Sequence, residues 1–237
     1  MQVRDISVCH LCEKNHRMII SDKYKIIFIR IPKTGSTSIE KALIKADPGC
    51  ISSDETKAPY GHFSAKSVKD FYHISDYRWN EYFKFCTVRE PLDWYMSMYL
   101  DYVNHSLHKF SDRLKWFFKN EKCNLPFNPE YPTVSLDNML MLHTLNSKWY
   151  APTDCVQQVD WINYGKMDLT IDFKNLEEGW KIVKDQTGIK VDLELLNKGP
   201  IRSKAKDAKF SEEAKKVFST LHSNDIEFYN NLITQNT

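Results

Sequence analysis

Short runs of β-branched and aromatic residues alternate along this chain with stretches whose apolar positions recur every three or four residues. Residues 24–31, YKIIFIRI, form one such run and end at Pro32, which predicts a buried strand meeting a turn. A helix is expected next. Ser36-Thr37-Ser38 offer N-cap hydroxyls, Ile39, Ala42 and Leu43 share one face, and Asp47-Pro48-Gly49 stops the helix. Residues 50–61 read as a loop. The pattern repeats at 82–103, where YFKFCTV is strand-like, Arg89-Glu90-Pro91 is a turn, and Leu92, Tyr95, Met96, Tyr99 and Val103 recur at helical spacing. A third unit has a strand, LTIDF, at 169–173, a helix from about Leu176, and Gly188 as its C-terminal stop.

Strands alternating with helices predict an α/β class, a three-layer sandwich whose central parallel sheet is covered on both faces. Residues 104–150 carry Trp116, Phe117, Phe118, Phe127, Tyr131, Trp149 and Tyr150 without a strand pattern, and are expected to be a helical and loop insertion over the sheet. Residues 197–209 are polar and basic, with Lys198, Arg202, Lys204, Lys206 and Lys209 in one run. One long last helix should follow, with Ala214, Val217, Phe218, Leu221 and Phe228 on its packed face. At 237 residues a single domain over 1–237 is expected, with 1–17 as a short N-terminal extension.

Composition narrows the partners. With 33 Lys plus Arg against 31 Asp plus Glu, the net charge of +2 gives no general pull toward nucleic acid or membranes, so any basic site must be local. The N-terminus MQVRDISVCH lacks the features of a signal peptide, and no apolar run approaches the ~18 residues of a membrane span. A cytoplasmic protein is the expectation, with its six cysteines reduced rather than paired. Cys9-x-x-Cys12 with His16 makes half a zinc site, but no second pair follows at finger or ribbon spacing; no metal is expected.

The chemistry concentrates at Pro32-Lys33-Thr34-Gly35-Ser36-Thr37-Ser38, between the first strand and its helix. A helix N-terminus presents unpaired N–H groups and the positive end of the helix dipole, a ready site for an anion. Gly35 lets the backbone approach closely, Lys33 adds a full charge, and the hydroxyls of Thr34, Ser36, Thr37 and Ser38 add donors. The loop departs from G-x-x-x-x-G-K-[ST], because Lys33 precedes the glycine and no glycine opens the loop, which disfavours an ATPase or GTPase. A second cation, Arg89, also directly follows a strand. Ligands of open α/β sheets bind beyond the carboxyl ends of the strands. The competing reading of Arg89 is an ion pair with a neighbour such as Glu90 or Asp93.

These residues resemble the sulfotransferases that use 3′-phosphoadenosine 5′-phosphosulfate, in their carbohydrate-type and bacterial branch with its P-loop NTPase-like core. The likeness runs from Met18-Ile19-Ile20 through Ser38, resumes at Phe83-Lys84-Phe85-Cys86-Thr87-Val88-Arg89-Glu90-Pro91, and returns at 169–176 and in Asp225-Ile226-Glu227-Phe228. It implies that Lys33, Thr34, Gly35, Ser36, Thr37 and Ser38 cradle the donor's 5′-phosphosulfate, and that Arg89 and Ser97 hold its 3′-phosphate. It also implies that Arg202 reaches the donor and that no metal is needed, while the rest of the basic run from Lys198 to Lys209 reads either as closing over the donor, as a corresponding loop does in related enzymes, or as a solvated surface loop. Glu90 stands where the family often has Asn, and Lys174-Asn175-Leu176 where it often has Glu-Asn-Leu.

The expected reaction is in-line transfer of the sulfuryl group to an acceptor hydroxyl, with Lys33 stabilising the leaving phosphate. The resemblance favours a carbohydrate acceptor. For the proton, His62 in Tyr60-Gly61-His62-Phe63 is the candidate base, because imidazole titrates near neutrality and related enzymes carry a functional histidine after the first helix. His73, His105 and Glu40 are secondary candidates. A kinase-like phosphotransferase and a non-catalytic nucleotide- or glycan-binding module are the alternatives.

Overall fold

A computed structural model of the chain describes residues 19–52, 63–71, 73–98, 157–164, 166–194 and 210–235. The N-terminal extension, the insertion at 104–150 and the basic run at 197–209 lie outside the described residues.

Among the described residues the sheet has five strands: β1 (Ile19–Ser21), β2 (Ile26–Ile29), β3 (Ile51–Ser52), β4 (Phe83–Val88) and β5 (Leu169–Asp172), in the order β3-β1-β2-β4-β5. The three strands expected from the hydrophobic runs are β2, β4 and β5; they lie side by side and parallel. β1 pairs antiparallel with both β2 and β3, so the sheet is mixed rather than wholly parallel. The reason is local. Residues 22–25 turn the chain back directly from β1 into β2, with Lys25 at φ 53, and a connection this short permits only antiparallel pairing. β3, inside the expected loop 50–61, extends that edge.

Side chains leave a strand alternately to its two faces. Ile26 and Phe28 of β2, Phe85 of β4 and Ile171 of β5 pack with Ile39, Ala42 and Leu43 of α1 (Ser36–Ala46) and with Leu176, Trp180 and Val183 of α6 (Leu176–Thr187). Ile27, Ile29, Cys86 and Val88 face the other way. They meet α2 (Ala65–Phe71), α3 (Asp76–Glu81), the helical residues 91–98 (α4), α5 (Gln158–Ile162), α7 (Glu212–Leu221) and α8 (Ser223–Gln235). Helices cover both faces, giving the expected three layers. The single last helix is instead two, broken at His222, whose ring is buried, stacked on Phe218 at 4.4 Å and edge-on to Tyr95 at 5.1 Å. The break lets α8 present Asp225 and Tyr229 inward.

Candidate functional site

The register Ile29↔Cys86 lays the segment beyond β2 alongside the end of β4, so Lys33 and Arg89 emerge together at the carboxyl edge of the sheet. The Arg89 guanidinium donates from Nη1 to the carbonyl of Lys33 at 3.3 Å, which brings the two expected anchors into contact.

The Lys33 loop is held in a strained shape by side chains below it. Lys33 has φ 62 and Gly35 φ 82, both left-handed, and Gly35 is the N-cap residue of α1. Instead of capping the helix, as the sequence predicts, Ser36, Thr37 and Ser38 all stand inside its first turn, and Gly35 makes no side-chain cap. The Ser38 N–H closes on the Gly35 carbonyl at 3.1 Å, while helix geometry leaves the first N–H groups of α1 without intrahelical partners. The Thr34 hydroxyl is fully buried. It donates to the Ile31 carbonyl at 2.8 Å and lies 2.6 Å from Thr87 Oγ1, which therefore supplies the proton of that contact. Thr34 thus ties the loop to β4. Trp94 of α4 adds a second tie, donating from Nε1 to the Pro32 carbonyl at 2.7 Å.

A Cβ at position 35 would lie 3.0 Å from Cδ2 and Cε2 of Phe173 and 3.1 Å from Leu176 Cδ2. Glycine is required there twice over, by its φ and by its neighbours. The same Phe173 ring lies 4.7 Å beneath the Arg89 guanidinium. One aromatic ring therefore packs against the loop at Gly35 and lies under Arg89, a role that no pattern around it signals.

Arg89 is buried, and its fork is engaged by Asp93, with Nε to Oδ2 at 2.5 Å and Nη2 to Oδ1 at 2.8 Å. The ion pair that competes with a ligand role in the sequence is therefore real, and coexists with the contact to Lys33. Ser97, the other expected 3′-phosphate ligand, is half-buried and stands four residues beyond Asp93, on the same face of α4. Glu90 does not act as a free acid beside this site. Its carboxylate accepts from the N–H groups of Leu92 and Asp93 at 3.2 and 2.7 Å, capping α4 ahead of Pro91 at its first turn.

The secondary base candidates fare differently. Glu40 is buried and paired with Arg30 at 2.5 Å, unsuited to exchanging protons with an acceptor. His73 is exposed, has φ 47 and closes α2 through its N–H to the Asp70 carbonyl; it stands just before α3, on the way to the amino end of β4 and away from Lys33. His62, His105 and Arg202 lie outside the described residues. So do Cys9, Cys12 and His16; Cys50 is a half-buried free thiol whose pKa is pushed up to about 11, chiefly by burial. Among the described residues no three metal-ligating side chains gather, and no helix is long and apolar enough to cross a membrane.

The sulfotransferase family model matches residues 16–232. The chain belongs to the sulfotransferase family. Carbohydrate sulfotransferase 10 of Xenopus laevis is 31% identical over 99 residues, covering 38% of this chain and 27% of that protein. Carbohydrate sulfotransferase 10 of Gallus gallus is 34% identical over 95 residues, covering 38% of this chain and 26% of that protein. The chain thus aligns with about a quarter of the length of these relatives. No solved structure matches.

Proposed function

We propose that this chain transfers the sulfuryl group of 3′-phosphoadenosine 5′-phosphosulfate to a hydroxyl of a carbohydrate. The observation that carries the reading is the junction of Lys33 and Arg89 at the ends of adjacent parallel strands, one at a helix N-terminus and one on an aromatic ring. Two cations so placed suit a ligand with two separate phosphate groups.

In this reading the first turn of α1 and Lys33 take the 5′-phosphosulfate, and Lys33 neutralises the charge that grows on the phosphate as the sulfur–oxygen bond breaks. Arg89 and Ser97 take the 3′-phosphate, with Arg89 held flat by Phe173 and Asp93. The acceptor hydroxyl attacks sulfur from the side opposite the departing phosphate and gives its proton to His62. Arg202 adds a further cation for the donor's phosphates. Family membership and the names of both relatives support sulfuryl transfer to carbohydrate.

The test is turnover with isotopically labelled donor against pooled oligosaccharides, read by mass spectrometry as an added sulfuryl group. Labelled product that disappears in Lys33→Ala is expected. Labelled product undiminished in both Lys33→Ala and Arg89→Ala would place the site elsewhere.

A further inference from the structure

Arg89 is gripped by its backbone as well as by its side chain. The Gln158 carboxamide makes a reciprocal pair with it: Arg89 N–H donates to Oε1 at 2.9 Å, and Nε2 donates to the Arg89 carbonyl at 2.8 Å. Both residues are buried. The pair spans 69 positions of sequence and closes at the point where β4 ends and the chain turns into α4.

Gln158 is itself fixed from behind. The Asp225 carboxylate of α8 accepts from the N–H groups of Gln158 and Val159, both at 2.8 Å, and Gln157 Oε1 accepts from the Asp225 N–H at 3.2 Å. Asp225 is thus an N-terminal anchor for α5 supplied by the C-terminal helix. A chain of buried hydrogen bonds runs Asp225 to α5 to Gln158 to Arg89. Nothing else about α5, five residues long, requires an amide directed at the end of β4.

We propose that Gln158 is a positioning residue for the donor: it sets the height and direction from which Arg89 reaches toward Lys33, and α8 sets Gln158 through Asp225. This rests on the donor reading above. An arginine that meets a phosphate as a planar fork tolerates little displacement of its backbone, so loss of the clamp weakens donor binding.

The experiment is calorimetric titration of the parent, Gln158→Leu and Gly188→Ala with 3′-phosphoadenosine 5′-phosphate, beside their melting temperatures. Gly188 ends α6 at φ 76, and a Cβ there would meet nothing within 4 Å, so its variant loses stability without touching the clamp. Gln158→Leu is expected to raise the dissociation constant about tenfold, within the range measured for groups that act on a site indirectly. Gly188→Ala, at a comparable loss of melting temperature, should bind as the parent does. Should Gln158→Leu fail to fold, Gln158→Glu keeps the acceptor for the Arg89 N–H, loses the donor to its carbonyl, and should show the same direction. Parent-like affinity in the folded Gln158 variant would overturn the inference alone. A parent that does not bind the bisphosphate would overturn the donor reading and the inference with it.

Discussion

Replacing Gly35 by alanine tests the geometry of the Lys33 loop at its tightest point. The backbone there has φ 82, and an L-residue held in the left-handed region costs roughly 1–2 kcal/mol. The new Cβ would also sit 3.0 Å from two Phe173 ring carbons and 3.1 Å from Leu176, so the ring must give by a few tenths of an ångström. That crowding adds on the order of 1 kcal/mol. The sum, about 2–3 kcal/mol, corresponds to a fall in melting temperature of roughly 4–12 °C for a chain of this size. Gly188→Ala isolates the first part, since Gly188 has a similar φ of 76 and no neighbour within 4 Å. Differential scanning calorimetry should show Gly35→Ala melting several degrees below Gly188→Ala. Because Phe173 also supports Arg89, Gly35→Ala should weaken binding of the adenosine bisphosphate, and Gly188→Ala should not. Equal losses of melting temperature in the two variants, with bisphosphate affinity intact in both, would refute the packing argument.

Thr34→Val removes the hydroxyl that joins the Ile31 carbonyl to Thr87, leaves buried polar groups unpaired, and should cost about 1–3 kcal/mol by thermal melting, with Thr34→Ser restoring most of it. Asp225 is buried, and burial raises its carboxyl from the ordinary 3.8 to about 6 despite the N–H groups of Gln158 and Val159 that favour the carboxylate. A raised acid stabilises the fold while protonated in both states and loses that contribution as pH climbs through the folded value. The parent should therefore lose on the order of 3 kcal/mol relative to Asp225→Asn between about pH 4 and pH 7. A difference that stays flat or grows in the parent's favour over that range would contradict it. His62→Ala should reduce turnover by at least about a hundredfold while leaving bisphosphate affinity near the parent's, and should abolish the fall in rate at low pH.

The parallel half of the fold is legible in the sequence because its signal is local: each buried strand is a short apolar run, each helix has a stop such as Asp47 or Gly188, and their alternation implies the layers. β1 and β3 escape because three and two residues carry too little periodicity to be seen. The places of Lys33 and Arg89, each directly after a strand, are legible as well. Their supports are not. Phe173 reads as the tail of a strand, Gln158 as an ordinary polar residue, and Asp225 as a residue within one long helix. Gln158 meets Arg89 across 69 positions and Asp225 meets Gln158 across 67, pairings that only the folded register creates. The Thr34 hydroxyl resembles a ligand donor because the loop's composition cannot show which groups turn inward. The break at His222 is hidden for a similar reason, since the apolar spacing of the two helices runs on across it.

Binding of a nucleotide with phosphates at both ends of its ribose decides whether Lys33 and Arg89 form one site. Titration of the protein with 3′-phosphoadenosine 5′-phosphate, and separately with ATP, compares a ligand carrying phosphates at both ends of the ribose with one carrying them only at the 5′ position. A ligand that binds only the folded state raises its melting temperature by an amount that grows with the logarithm of its affinity. The bisphosphate should bind and raise the melting temperature of the parent, ATP should do so much less, and Arg89→Ala should erase most of the difference between them. Equal stabilisation by both nucleotides, or none by either, would contradict a site built from Lys33 and Arg89 for a donor with two separate phosphates.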